Sequence, residues 1–262
     1  MNTQYDLDAR QMLNKVPEVT LYFWVIKIMA TTVGETTADL LSEKLKLGLT
    51  ITSLVMGALL LVAMIVQFRA RQYMSSIYWI AVVLISVVGT LVTDNLVDNF
   101  GLPLWVATTA FAIALSVTFA AWYMSERTLS IHTIYTSKRE AFYWAAILFT
   151  FALGTGAGDL LAEGLKLGYA HSVLLFGASI ALVMFAYYIF KLNAVLAFWI
   201  AYILTRPLGA SFGDLLSQPK SDGGLGLGTV VTSAIFLAII LGLVVIMTRE
   251  QTEGSSLAKS KT

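Results

Sequence analysis

The stretch WVIKIMATTVGETTADLL, Trp24 to Leu41, decides how this chain is read. It is apolar enough to belong to a membrane span, yet it carries Lys27, Glu35 and Asp39. A charged side chain at the centre of a bilayer costs about 2.5–3.5 kcal/mol even on the lenient insertion scales. Three on one helix need partners supplied by the rest of the fold. The chain repeats the pattern three more times, which separates what is shared from what is peculiar to this copy.

The shared register starts from tryptophan. Trp24, Trp79, Trp144 and Trp199 are each followed ten residues later by a glycine (Gly34, Gly89, Gly154, Gly209) and fifteen later by an aspartate (Asp39, Asp94, Asp159, Asp214). GETTADLLSEKLKLG (34–48) aligns with GTGAGDLLAEGLKLG (154–168); the other two copies read GTLVTDNLVDNFG (89–101) and GASFGDLLSQPKS (209–221). The tryptophans are spaced by 55, 65 and 55 residues, so the chain divides into two halves of about 120 residues, each holding two repeats.

Composition sets the class. Of 262 residues 58% are hydrophobic and only 13% charged, with a net charge of +1 and no cysteine. A soluble domain uses about 25% charged residues, so the expectation is an all-α polytopic membrane protein. The near-neutral charge gives no basic face for nucleic acid, and the lack of cysteine removes disulfides and thiolate chemistry. A span needs about 20 apolar residues. Eight segments qualify, at about 18–41, 49–68, 76–97, 102–124, 140–161, 170–190, 193–216 and 228–247. None alternates in the manner of a barrel strand, so helices are expected.

This gives an N-terminal segment (1–17), an eight-helix membrane domain (18–247) with repeats at about 18–70, 71–125, 138–191 and 192–247, and a disordered tail (248–262). Eight spans place both termini on one side. That side carries Arg10, Lys15, Arg69, Arg71, Arg127, Lys138, Arg139, Lys191, Arg249, Lys259 and Lys261, eleven in all, against Lys44, Lys46, Lys166 and Lys220, four, on the other. The positive-inside rule then puts both termini in the cytoplasm, with a bacterial cytoplasmic (inner) membrane as the expected location. Two spans per repeat make the repeats parallel, related by an axis along the membrane normal. The polar motifs all fall on odd spans, so these are expected around the axis, with the even spans outside against lipid.

The pattern resembles a family of bacterial integral membrane proteins built from four tandem two-span repeats, each with a tryptophan, matched here by Trp24, Trp79, Trp144 and Trp199. That family is described as of unknown function. The resemblance runs from about residue 15 to 247 and implies the fold; it brings no activity with it.

The chemistry must come from the charges. Each aspartate sits near a helix C-terminus, where the macrodipole disfavours a carboxylate, and four such placements suggest a compensating cation or proton. Acidic rings around an axis select cations; alternatively, each carboxylate faces interfacial water at a separate helix end. The four glycines either allow close helix crossing or break the helix to free carbonyls. Glu35, Asp39 and Glu43 are spaced to share one helix face. Lys27 and Arg206 are the basic residues deepest in spans: Lys27 either snorkels to the interface or pairs with an acid, and Arg206, just before Pro207, needs a carboxylate such as Glu35. Glu35 and the four aspartates give −5 and the two basic residues +2, an acidic excess of −3. Oxygen ligands without cysteine suit hard divalent cations, manganese among them, with Asp39 and Asp159 as metal-ligand candidates. Hydroxyls of Thr31, Thr32, Thr36, Thr37, Ser86, Thr93, Thr155 and Ser211 add to that oxygen set. The tryptophans either pack or line an organic-cation pocket.

No nucleophile–base–acid set, HExxH or P-loop appears, and GGLGLG (223–228) is a loop outside any nucleotide-binding context. The expected function is a secondary transporter of a small cation, proton-coupled, with the bilayer and the cation as its partners. Such a protein is not an enzyme and needs no resident cofactor. The alternatives are a non-transporting membrane scaffold and an organic-cation or metabolite exporter. Self-association is left open.

Overall fold

The computed structural model describes residues 14–259, with side chains to Arg249. Among these residues the chain forms eight α-helices and no strand: α1 Leu21–Asp39, α2 Leu49–Arg69, α3 Ser75–Asp94, α4 Leu104–Glu126, α5 Ser137–Asp159, α6 Tyr169–Phe190, α7 Ala194–Ser217 and α8 Thr229–Lys259. Capping side chains fix several starts. Thr20 accepts from the Phe23 N–H, Thr136 from the Arg139 N–H, and Asn193 from the Val195 and Leu196 N–H groups. Seven helices are long and apolar enough to cross a membrane. The exception is α1, whose Lys27, Glu35 and Asp39 lower its hydropathy. The chain is a multi-pass membrane protein.

The odd helices form a four-membered ring. Helix α1 packs on α3 and α7, and α5 packs on the same two. The even helices lie outside, each against the inner helix of the following repeat: α2 on α3, α4 on α5, α6 on α7, and α8 back on α1. The arrangement is thus cyclic, and each repeat is completed by its predecessor. Between 56% and 61% of the span residues of α3, α5 and α7 are buried, against 6% to 22% for α2, α4, α6 and α8. Leu54, Leu61, Ile113, Leu182 and Leu241 are among the exposed apolar side chains of the outer helices, in keeping with a lipid-facing surface.

The end of the ring nearest residue 14 is closed by aromatic rings. Phe23, Tyr78, Trp79, Tyr143, Trp144, Trp199 and Tyr202 pack into one buried cluster, and the Tyr78 and Tyr143 hydroxyls meet at 2.5 Å. Residues 14–16 fold over this end. Lys15 Nζ donates to Glu140 Oε2 at 2.6 Å and to the Phe68 carbonyl at 3.1 Å, and Gln67 Nε2 donates to Glu140 Oε1 at 3.0 Å. Lys15, counted above among the positive charges of that side, is a buried ion-pair member. Residues 1–13 and 260–262 of the expected terminal segments lie outside the described residues. Helix α8 runs on to Lys259, where the polar tail was expected to be disordered; TREQTEGSSLAK contains no proline to stop it.

Candidate functional site

At the opposite end the first three inner helices finish alike. Asp39, Asp94 and Asp159 are each the last α-helical residue before a one-turn π-helical widening, at Leu40–Lys44, Asn95–Asn99 and Leu160–Gly164. The wide turns close through Leu45 N–H to Leu40 O, Phe100 N–H to Asn95 O and Leu165 N–H to Leu160 O, at 2.8 to 3.0 Å. The fourth repeat instead ends as an ordinary α-helix at Ser217, before Pro219. The widened turn also breaks the expected common face of Glu35, Asp39 and Glu43. Their burial falls in order, Glu35 buried, Asp39 half-buried and Glu43 exposed, because a π turn advances by more residues than an α turn and rotates Glu43 away.

The four glycines are where the inner helices cross. A Cβ on Gly34 would collide with Ser86, on Gly89 with Phe151 at 2.7 Å, on Gly154 with Arg206 and with Pro207 at 3.0 Å, and on Gly209 with Thr31. Each obstructing side chain stands seven residues after the next repeat's tryptophan, and the fourth closes on the first. All four glycines lie within continuous α-helix, so the helix-break alternative has no counterpart here. Hydroxyls reinforce the crossings: Thr32 donates to the Gly209 carbonyl at 2.9 Å and Thr93 to the Ala152 carbonyl at 3.0 Å. Thr31 likewise reaches the Ile28 and Thr205 carbonyls. These three hydroxyls, candidate ion ligands on sequence, are engaged with backbone.

Close crossing brings Arg206 to the middle of the ring, fully buried. Its Nη2 donates to Glu35 Oε2 at 2.8 Å, to Thr155 Oγ1 at 2.6 Å and to Thr90 Oγ1, and its Nη1 donates to the Thr31 carbonyl at 3.4 Å. Thr90 also donates to Glu35 Oε2 at 3.3 Å. Glu35, Thr90 and Thr155 occupy the same register position, eleven after the tryptophan, in repeats one to three. One guanidinium from the fourth repeat thus gathers the equivalent side chains of the other three. The expected Glu35–Arg206 pair is present. Thr155, an oxygen-ligand candidate on sequence, instead accepts from Arg206; the role of Thr90 was not anticipated, although its place after the repeat glycine is the signal that finds it.

The aspartates do not form a fourfold ring of equals. Carboxylate oxygens of Glu35, Asp159 and Asp214 lie within 4.8 Å of one another, a grouping able to hold a metal ion. Asp39 and Asp94 stand outside this trio, half-buried, though every one of the four aspartates is an electrostatic neighbour of Glu35. Of the candidate metal pair, Asp159 belongs to this trio and Asp39 does not. The fourth helix end, which has no π turn, leaves Asp214 buried, whereas Asp159, like Asp39 and Asp94, is half-buried.

Lys27 departs from both expectations. It is fully buried, so it does not snorkel, and it makes no ion pair among the described residues. Its Nζ lies 3.9 Å from the Phe151 ring centre and 4.3 Å from that of Tyr202, with no hydrogen-bond partner. Eight residues separate it from Glu35, about 12 Å along a helix, too far for a direct bond. The repeat tryptophans pack on neighbouring rings, Trp199 against Trp122 and Tyr202, Trp144 against Tyr78 and Tyr143, Trp24 against Phe23.

A family model described as Repeat of Unknown Function (DUF347) matches the chain four times, at residues 22–73, 77–128, 142–193 and 197–252. No curated protein and no solved structure matches it.

Proposed function

The chain belongs to the family of the Repeat of Unknown Function (DUF347), and from that premise we propose that it is a secondary transporter of a hard divalent cation, coupled to protons. The observation that carries this reading is the approach of the Glu35, Asp159 and Asp214 carboxylates to within 4.8 Å inside a membrane-embedded ring. Three carboxylates so close repel unless a cation or protons join them. Together they carry −3, and the paired Arg206 brings the sum to −2, which one divalent cation neutralises.

In this reading Asp39 and Asp94 draw the cation toward the trio, and Arg206 keeps Glu35 in place. The aromatic cluster and the Lys15–Glu140 pair close the far side. The activity is transport, not catalysis, and the cation is cargo. The setting is a bacterial inner membrane with cytoplasmic termini, as the lysine and arginine asymmetry favours.

The test is flux. Purified protein in liposomes should move Mn²⁺ or Ca²⁺ in response to a pH gradient. Asp159→Asn and Asp214→Asn should each lower the initial rate at least tenfold, and Asp98→Asn, on an exposed residue, should leave it within twofold. Unchanged flux in both trio variants refutes the site.

A further inference from the structure

Lys27 has no place in the cation site just described, yet its setting is the most unusual of any charged side chain here. It lies in the interior of the ring, none of its surface is exposed, and its Nζ has no hydrogen-bond partner. An ammonium carries three donors, and a buried donor without an acceptor is expensive. Two ring faces, Phe151 from α5 and Tyr202 from α7, are all that the structure offers it. Ring faces attract a cation, but they accept no strong hydrogen bond.

Few titratable or charged groups face Lys27. From α7 come Tyr202 and Arg206, and Arg206 is the charged neighbour of Lys27. Helix α1 supplies Glu35, already bonded to Arg206. At the closed end α3 supplies Tyr78 and α5 supplies Tyr143 and Glu140; the two tyrosines bond to each other, and Glu140 is held by Lys15 and Gln67. Helix α8 carries no titratable side chain between Thr229 and Met247. No carboxylate stands ready to pair with Lys27. Its position is equally telling. It lies between the Glu35–Arg206 layer and the aromatic cluster, on the boundary that must part if anything is to cross.

We infer that Lys27 is the proton-carrying residue that couples cation movement to the proton gradient. The inference rests on the transport reading given above. In the closed packing a proton on Nζ finds no oxygen. When Tyr78, Tyr143 and Tyr202 separate, hydronium at that end gives a proton to the amine's lone pair and is left as water. The new charge beside Arg206 weakens the hold of the site on a divalent cation, which leaves at that end. When the aromatic end closes and the Glu35–Arg206 layer parts, water from the opposite side takes the proton off, and the site binds a cation from there. Proton and cation thus cross in opposite directions, each bound at one end and released at the other, which is the requirement for coupling.

The experiment compares two modes of the same liposome assay with Mn²⁺ as the probe. Exchange of internal for external Mn²⁺ needs no net proton movement, whereas uptake driven by a pH gradient does. Lys27→Met and Lys27→Gln should retain exchange within about twofold and lose gradient-driven uptake at least tenfold, and their exchange rate should no longer respond to pH. If both variants keep gradient-driven uptake, Lys27 is not the carrier, although the transport reading stands. If exchange and driven uptake fall together in both, Lys27 serves only packing and the inference is overturned. If the wild type exchanges no Mn²⁺, the transport reading itself fails, which wild-type protein alone reveals. Should both variants misfold, carbamylation of wild-type Lys27 by cyanate, read by mass spectrometry, decides. Labelling should appear only during Mn²⁺ turnover, and its absence during turnover overturns the inference.

Discussion

Replacing Arg206 by methionine should be the most damaging single change in the ring, because of what it leaves behind. Arg206 and Glu35 are both buried, at 0% and 8% side-chain exposure. Without the guanidinium, Glu35 retains one long bond from Thr90 at 3.3 Å and faces Asp159 and Asp214 with no counter-charge. Breaking a buried pair from one side costs about 3–5 kcal/mol. Glu35→Gln should cost less, about 1–3 kcal/mol, since Arg206 keeps its bonds to Thr90, Thr155 and the Thr31 carbonyl. The double variant carries neither charge, so it should be more stable than the sum of the singles by about 1.5–3 kcal/mol, within the range found for contacting residues. Equilibrium unfolding in mixed detergent and SDS micelles, followed by fluorescence of the six tryptophans, measures all four corners of the cycle. Additivity within about 0.5 kcal/mol would falsify the pairing and with it the central place given to Arg206.

Three further outcomes are expected. Gly154→Ala should destabilise by about 1–3 kcal/mol because its Cβ lands on Arg206 and Pro207; Gly158→Ala, one turn on, meets nothing nearer than 3.7 Å and should be neutral or slightly stabilising in the same assay. Mn²⁺ at a hundred times its dissociation constant should stabilise the wild type by about 2.7 kcal/mol, and thermal melts of Asp159→Asn and Asp214→Asn should show little of this gain. Glu140→Ala should leave Lys15 buried without its carboxylate. Limited proteolysis should then cut residues 14–17 faster than in the wild type, and an unchanged rate refutes a closing role for that pair.

The ring of odd helices was legible in the sequence because a fixed offset from tryptophan to glycine to aspartate survives in all four copies. The Glu35–Arg206 pair was legible because a deep arginine has few choices of partner. The order of the outer helices was not. Hydropathy says that α2 faces lipid, but it cannot say that α2 leans on α3 of the next repeat, since packing against either neighbour buries similar apolar surface. Lys27 was misread for a related reason. Snorkelling is judged by depth along one helix, and whether Phe151 and Tyr202 block the way depends on two other helices. The unequal aspartates were hidden too, because the π turns of the first three copies and their absence in the fourth change burial without changing the aspartate register.

The cyclic order has a consequence for synthesis. Helix α1 leaves the ribosome first and is the one helix too charged to qualify as a span by its own hydropathy. Its guanidinium partner is residue 206, and the outer helix that covers it is α8. For most of translation, therefore, Glu35 lacks its neutralising partner and Lys27 lacks cover. The insertion machinery must hold α1 at a wet or protein-lined surface until α7 and α8 arrive. Final entry of α1 into the bilayer, the closing of the ring and the burial of its charges then become one event, delayed to the last part of the chain.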